Sequence, residues 1–97
     1  MRFEILLSPE AAEDAKGLKA ALRAEVLDAL ETHLRYEPTR VSRSRIKRLR
    51  GIDRPQYRLR IGEVRVFYDV TEATVEVLAI IAKSEAESWL AQFGKLQ

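Results

Sequence analysis

Residues 57–70 read YRLRIGEVRVFYDV, and their pattern is the strongest indication of the fold in the chain. Apolar and polar residues alternate on both sides of Gly62-Glu63, which is the pattern of two strands with one buried face. Glycine at the first central position suits a two-residue type II′ turn. The stretch therefore predicts an antiparallel hairpin whose apolar side chains face the core together, namely Tyr57, Leu59, Ile61, Val64, Val66 and Tyr68.

The same hairpin brings arginines together on its other face. A turn at Gly62-Glu63 pairs Arg60 with Arg65 and Arg58 with Phe67, so we expect the three arginines to be exposed side by side. Like charges directly opposite each other destabilise a sheet by a few tenths to ~1 kcal/mol. Charges gathered against this local rule indicate a binding site for an anion.

The segments before the hairpin predict one strand and two helices. Residues 3–7 alternate as a strand, and Ser8-Pro9 is a helix start in which Ser8 caps and Pro9 takes the first helical position. Gly17 separates this helix from a second one over about residues 20–35, which Pro38 stops. A basic loop over residues 37–45, a short strand over 46–51 and a turn over 53–55 follow.

The segments after the hairpin predict a strand over residues 75–82 and a helix over about 84–93. Ser84 and Glu87 have the spacing of a capping box for that helix. The whole chain, residues 1–97, is thus expected to be a single α+β domain. It has an N-terminal strand, a two-helix hairpin, a four-strand antiparallel meander whose sheet the first strand joins, and a short C-terminal helix.

An apolar patch is expected beside the arginines. Alternation places Phe67 there and, by extension to the next strand, Leu78 and Ile80. Trp89, Leu90 and Phe93 of the C-terminal helix are spaced to lie on one side. We expect Trp89 to cover the patch; the alternative is a helix supplied by a partner.

The charge of the chain is concentrated in its middle. The net charge of +2 divides into −3 for residues 1–34, +8 for residues 35–65 and −3 for residues 66–97. Twelve of the seventeen basic residues are arginine, which suits forked contacts to phosphate. This distribution favours a polyanion or an acidic protein as partner.

Several classes of protein are disfavoured. There is no cysteine, so the chain has no disulfide framework and no thiolate nucleophile. One histidine and scattered acids do not predict a metal site, and we expect no cofactor. No apolar run has the ~20 residues that span a bilayer, and the N-terminus does not read as a signal peptide. We expect a soluble cytoplasmic protein.

The order of IKRLRG (residues 46–51), YRLRIGEVRVFYDV (57–70) and VEVLAIIAK (75–83) resembles the RelE/ParE toxin superfamily over nearly the whole chain. The resemblance implies a bacterial type II toxin–antitoxin system, in which a cognate antitoxin neutralises the toxin. In the RelE branch the toxin enters the ribosomal A site and cleaves mRNA. In the ParE branch it poisons DNA gyrase.

The resemblance also assigns roles to residues of this chain. Arg65 matches the arginine that contacts the scissile phosphate, and Arg58 and Arg60 match the basic pair on the preceding strand. Lys83 falls in the family's Gly-Lys-Arg-type segment, but Ser84 stands where a catalytic arginine is expected. The tyrosine of RelE-type nucleases is missing, because Trp89 and Leu90 occupy its region.

Cleavage by a 2′-hydroxyl needs proton transfer as well as charge stabilisation. Arginine serves the second need but is a poor proton donor, since its pKa lies above ~12. Tyr57 and Tyr68 are expected in the core, and His33 on a distant helix surface. The catalytic assignment is therefore Arg65, Lys83 and Glu85, while RNA phosphates are expected at Arg58, Arg60, Lys47, Arg48 and Arg50.

Three functions remain open. The first is a metal-independent, ribosome-dependent mRNA endoribonuclease that inhibits translation, with ribosome and mRNA as partners. The second is a ParE-like inhibitor of DNA gyrase, or a toxin with weakened catalysis that acts by binding only. The third is a basic RNA-binding module without toxic activity.

Overall fold

In a computed structural model that describes residues 1–96, the chain forms three α-helices, a 3₁₀ turn and two sheets. The elements in chain order are β1 (Glu4–Leu7), α1 (Pro9–Lys16), α2 (Ala20–Leu34), β2 (Ile46–Arg48), β3 (Ile52–Arg54), β4 (Tyr57–Ile61), β5 (Val64–Val70), β6 (Thr74–Ala82), the 3₁₀ turn (Lys83–Glu85), α3 (Ala86–Phe93) and β7 (Lys95–Leu96). No helix within residues 1–96 combines the length and the apolar character needed to cross a membrane.

The larger sheet has the strand order β1-β6-β5-β4-β2. Strands β2, β4, β5 and β6 form an antiparallel meander, and β1 joins it parallel to β6. The predicted α+β architecture is confirmed. A second sheet, β3 paired with β7, was not predicted, because β7 has two residues and β3 has three, too few to show an alternating pattern.

The two N-terminal helices pack on one face of the larger sheet. Ser8 caps α1 as predicted, with its Oγ accepting a hydrogen bond from Ala11 N at 3.0 Å. Both helices contribute to a single core with the sheet. Its buried members include Ala11, Ala15, Val26, Leu30 and Leu34 from the helices and Leu59, Val66, Tyr68, Val75 and Val77 from the strands.

The hairpin has the predicted register. Ile61 pairs with Val64 and Leu59 with Val66. Gly62 has a φ of 56°, and among the described residues only glycines have a positive φ, so Glu63 does not. A positive φ at the first central position alone is the requirement of a type II′ turn. Glycine meets it without steric cost.

The C-terminal helix starts differently from the prediction. The expected helix start at Ser84 is wrong: Ser84 lies inside the 3₁₀ turn, and α3 begins at Ala86 with Glu85 as its N-cap residue and no side-chain cap. The chain leaves β6 through the 3₁₀ turn, and the α-helix therefore starts two residues later than predicted. The capping box with Glu87 therefore does not form.

Candidate functional site

Four basic residues share the face of the larger sheet that the helical hairpin leaves uncovered. Arg60 on β4 lies opposite Arg65 on β5, Arg58 lies opposite Phe67, and Lys47 on β2 lies opposite Arg58. Since paired residues in a ladder point to the same side, Lys47, Arg58, Arg60 and Arg65 form one group, here called the basic face. The predicted gathering of arginines beside the Gly62 turn is present.

Arg65 does not have the exposure that the sequence suggested. Its residue exposure is 6%, so the expectation that it is exposed is wrong. The side chain folds back over its own turn, where Nη1 donates to Gly62 O at 2.8 Å and to Val64 O at 3.1 Å. Arg65 is therefore a buried cation with a fixed position at the tip of the hairpin.

Arg58 is under electrostatic strain. Partial burial lowers the pKa of its guanidinium, and the positive charges of Arg65 and Arg60 lower that pKa further. Arg58 Nε is buried without a hydrogen-bond partner within residues 1–96. An anion on this face would relieve the repulsion among the three arginines. The oxygens of phosphate and carboxylate groups both match the donor geometry of arginine.

Two of the expected extensions of this face lie elsewhere. Lys47 belongs to it, but Arg48 is paired with Tyr57 and points to the helix side, where its guanidinium carbon lies 5.0 Å from the centre of the Tyr57 ring. The expectation that Arg48 extends the basic face is wrong, because a strand residue next to Lys47 must point the opposite way. Arg50 is exposed in the connection after β2, outside any strand.

Lys83 and Glu85 lie at the end of the sheet near the hairpin tip. Lys83 N donates to Glu63 O at 2.7 Å, which holds the 3₁₀ turn against the Gly62-Glu63 turn. Glu85 lines a cavity of about 240 Å³ together with Ile81, Trp89 and Phe93. Both side chains are exposed. Arg65 and Lys83 are therefore brought to the same end of the sheet, and Glu85 follows Lys83 by two residues in the same 3₁₀ turn.

Tyr57 and Tyr68 are not available for proton transfer on the basic face. Tyr68 is fully buried on the core side, and its hydroxyl donates to Pro38 O at 2.6 Å. Burial, with a smaller contribution from Tyr57, raises the pKa of Tyr68 far above its ordinary value. Tyr57 stacks on Tyr68 with ring centres 5.5 Å apart. Both tyrosines are on the helix side, as the sequence predicted.

His33 is also remote from the basic face. It lies half-buried in the last turn of α2, where burial and the charge of Arg45 lower its imidazole pKa. Of the residues that the sequence analysis considered for proton transfer, Lys83 and Glu85 are therefore the two that lie near the hairpin tip.

The apolar patch next to the arginines is covered by the C-terminal helix. Phe67 is fully buried, and the ring of Trp89 stacks on it with centres 5.0 Å apart and an interplanar angle of 4°. The expected cover by Trp89 is confirmed, and the alternative of a partner's helix is not needed for Phe67. Trp89 in turn contacts Phe93, which remains 58% exposed.

The composition of the patch differs from the prediction at one residue. Regular pairing would place Ile80 opposite Arg65, but Ile80 pairs with Val66 and is buried in the core. The cause is an irregularity between Phe67 and Tyr68, across which Phe67 pairs with Ala79 and Tyr68 with Val77. One extra residue on β6 exchanges the two faces beyond that point. The residue that lies opposite Arg65 is Ile81.

A polar network on the same face was not anticipated. Asp69, 8% exposed, accepts hydrogen bonds from Arg54 Nε at 2.6 Å and from Gln56 N at 2.8 Å. Gln56 Oε1 accepts from Val70 N at 2.8 Å. The signal in the sequence was an aspartate near the end of a strand rich in apolar residues, because a buried carboxylate needs a cation nearby. This network ties β3 to the larger sheet.

The chain is similar to known toxins. Residues 5–87 match the family described as ParE toxin of type II toxin-antitoxin system, parDE. The fold resembles that in the toxin–antitoxin complex RelBE2 from Mycobacterium tuberculosis, with a TM-score of 0.67 and 24% identity over 84% of this chain and 99% of that one.

Two further solved structures are similar. In the archaeal RelE–RelB complex from Pyrococcus horikoshii OT3 the TM-score is 0.69, with 22% identity over 86% of this chain and 97% of that one. In the YoeB dimer from Staphylococcus aureus the TM-score is 0.61, with 20% identity over 81% and 94%. At these identities the likeness concerns the fold. No curated protein sequence matches the chain.

Proposed function

Because the chain belongs to the ParE toxin family of type II toxin–antitoxin systems, within the RelE/ParE superfamily, we propose that it is a ribosome-dependent mRNA endoribonuclease that a cognate antitoxin neutralises. The observation that carries the proposal is the crowding of Arg58, Arg60 and Arg65 on one face. These cations raise each other's energy, and the phosphates of an RNA strand would stabilise all three.

The chemistry is a transesterification within the RNA. The 2′-hydroxyl attacks the adjacent phosphorus, and the bond from phosphorus to the 5′-oxygen of the next nucleotide breaks. The carboxylate of Glu85 takes the proton of the attacking hydroxyl, and the ammonium of Lys83 gives a proton to the departing oxygen. Arg65, held by its own turn, stabilises the extra negative charge that develops on the phosphate. The products are a 2′,3′-cyclic phosphate and a 5′-hydroxyl.

The position of each group supports its role. Arg65 is fixed by two hydrogen bonds, so it loses little freedom when it binds the reacting phosphate. Lys83 is held at the same hairpin tip through its backbone. Lys47, Arg58 and Arg60 would bind the flanking phosphates, which fixes the register of the strand. No cofactor takes part in the proposed reaction.

The decisive experiment maps mRNA ends in a reconstituted translation reaction. The purified chain should cut mRNA at the codon in the ribosomal A site, leave a 2′,3′-cyclic phosphate, and leave the same RNA uncut without ribosomes. Lys83→Gln and Glu85→Gln should abolish cutting while RNA binding persists. Arrest of translation with intact mRNA would contradict the nuclease.

Inhibition of DNA gyrase is the second candidate. It is favoured by the family match and by the position of Tyr57 and Tyr68 on the core side, which keeps both tyrosines of the hairpin away from the basic face. In this case the basic face binds the gyrase–DNA complex without cutting RNA. Gyrase-dependent linearisation of a supercoiled plasmid, with mRNA left intact, would select it.

The antitoxin is proposed as the protein partner. The related structures from Mycobacterium tuberculosis and Pyrococcus horikoshii OT3 are toxin–antitoxin complexes. An acidic and apolar segment of the antitoxin would complement the basic face and the exposed Phe93. Co-expression with the protein encoded by the neighbouring reading frame should restore growth, and a complex of the two should purify together.

A further inference from the structure

A second cavity, of about 520 Å³, lies between the last turn of α2 and the basic loop that leads to β2. His33, Tyr36, Arg40, Ser42 and Arg45 are among the residues that line it. Its volume is within the ~300–1,000 Å³ of small-ligand sites. The proposed cleavage on the basic face uses none of these residues.

Two arginines supply positive charge to this cavity. Arg45 Nη1 donates to Arg60 O at 3.2 Å, which uses one of the five donor hydrogens of the guanidinium and holds the side chain in place. Arg40 Nη1 is paired with Glu37 Oε2 at 2.9 Å, but both side chains are more than half exposed. An exposed pair of this kind contributes little, so an incoming anion can compete for Arg40.

Ser42 provides a hydroxyl donor in the wall of the cavity. Its Oγ accepts hydrogen bonds from Arg45 N at 3.1 Å and from Ile46 N at 3.3 Å, while Ser42 N donates to Ile46 O at 2.9 Å. Both hydrogen bonds that Oγ makes within residues 1–96 are accepted ones. A hydroxyl has one donor hydrogen as well, which Ser42 can direct to a ligand.

An aromatic ring lies next to these donors. Tyr36 is 61% exposed, and it lines the cavity together with His33, whose imidazole pKa is lowered by burial and by the charge of Arg45. An exposed aromatic ring beside arginines offers a stacking surface for a nucleobase, at about 1–3 kcal/mol per base. Hydrogen-bond donors for a phosphate and a stacking surface for a base thus lie in one cavity.

We propose that this cavity binds a phosphorylated nucleotide, with Arg45, Arg40 and the Ser42 hydroxyl holding the phosphate and Tyr36 stacking on the base. Arg45 precedes β2 and is joined to Arg60 through the backbone, since Arg60 N donates to Arg45 O at 2.9 Å. One wall of the cavity is therefore bonded to the backbone of Arg60, a residue of the basic face. The nucleotide can be a free 5′-monophosphate or one residue of an RNA strand, and the proposal does not depend on nuclease activity.

The test follows the imidazole of His33 by proton NMR, because it is the only histidine of the chain. Adenosine 5′-monophosphate should shift its signals saturably and raise its pKa, since a phosphate nearby favours the protonated ring. Adenosine and inorganic phosphate should each bind at least about tenfold more weakly than the complete nucleotide. The isolated protein suffices, so failure of the cleavage proposal does not affect the result.

Matched variants assign the contacts. Arg45→Gln should weaken binding of adenosine 5′-monophosphate by about tenfold, whereas Arg43→Gln, the same charge change at an exposed position of the same loop, should leave it nearly unchanged. Tyr36→Ala should weaken nucleotide binding by about fivefold or more, whereas Tyr36→Phe keeps the aromatic ring and should bind the nucleotide as the parent does. Tyr36 is exposed, so its variants keep the fold even where Arg45→Gln disturbs the edge of the sheet.

Hexa-adenylate RNA separates the two sources of the nucleotide. An RNA strand is the source if the hexamer binds more tightly than the mononucleotide and Arg60→Gln weakens only the hexamer. A free nucleotide is the source if both bind equally and Arg60→Gln changes neither. The proposal is overturned if adenosine 5′-monophosphate gives no saturable shift of His33, or if Arg43→Gln and Arg45→Gln weaken binding equally.

Discussion

Arg60 and Arg65 lie directly opposite each other across the β4–β5 ladder, one exposed and the other buried. The buried member is held by the carbonyl oxygens of its own turn, so it cannot move away from its partner. The exposed member can turn toward solvent but stays on the same face. The hairpin therefore keeps two positive charges together at a cost to stability, which an anion would offset.

Arg60→Thr is expected to stabilise the fold and weaken RNA binding at the same time. Removal of the exposed charge relieves the repulsion and should raise the free energy of unfolding by a few tenths to ~1 kcal/mol. The loss of one phosphate contact should reduce the salt dependence of single-strand binding by about 0.7 in log–log slope. Urea unfolding and RNA titrations at several salt concentrations measure the two effects.

Arg43→Thr is the control for that variant, because Arg43 is an exposed loop arginine with no partner across a strand. It should change the free energy of unfolding very little. A destabilising effect of Arg60→Thr, or an equal change of RNA binding in both variants, would contradict the claim that the opposed arginines form an anion-binding site at a cost in stability.

Arg65→Ala should destabilise the protein as well as remove its toxicity. The variant loses two hydrogen bonds to Gly62 O and Val64 O, and the free energy of unfolding should fall by ~1–3 kcal/mol. Arg65→Lys keeps the charge but not the forked geometry, so it should recover part of the stability and little of the activity. An alanine variant as stable as the parent would contradict the structural role of the side chain.

The hairpin was predictable because its determinants are local. Alternation and the glycine turn fix which residues of β4 and β5 are paired, and the pairing places Arg58, Arg60 and Arg65 on one face. The burial of Arg65 was not predictable, since it depends on the rotamer that brings the guanidinium back to Gly62 O. A residue's face follows from register, whereas its exposure follows from what covers that face.

The errors on β6 and α3 have non-local causes. Alternation placed Ile80 beside the arginines, but one extra residue in the ladder moved it to the core. Nothing in the apolar run over residues 75–82 marks where such an irregularity falls. The helix start at Ala86 likewise depends on the 3₁₀ turn that Lys83 N anchors to Glu63 O, a contact across 20 positions of the chain.

Tyr68→Phe should lower the free energy of unfolding by ~1–2 kcal/mol. The substitution removes the hydroxyl that donates to Pro38 O at 2.6 Å and leaves that buried carbonyl without this donor. The hydrogen bond also holds the start of the basic loop against the core. Tyr57→Phe is the matched control, and it should cost less because Tyr57 is only partly buried. Equal costs in urea unfolding would contradict the assignment.

Trp89→Ala should expose Phe67 and lower the free energy of unfolding by ~1–3 kcal/mol. The loss should be smaller than for a fully buried tryptophan, because Trp89 is partly exposed. Far-UV circular dichroism in urea measures the change. Phe93→Ala removes a ring that is 58% exposed and should cost clearly less. A Phe93 variant that is as unstable as the Trp89 variant would place the main contact of α3 elsewhere.

His33 should make stability depend on pH on the acid side of neutrality. Its pKa in the folded state is lowered, first by burial and then by Arg45, below the ~6.5 expected for an unfolded chain. Between these two pKa values the unfolded chain binds more protons, so the free energy of unfolding falls as the pH drops below about 6.5. Above about pH 7.5 both states carry a neutral imidazole and the contribution vanishes. Urea unfolding of the parent and of His33→Gln from pH 7.5 to pH 5 should therefore show a constant difference in the free energy of unfolding near pH 7.5 and a larger loss of stability for the parent at low pH. A difference that stays constant over the whole range would show that His33 is solvated as in the unfolded chain.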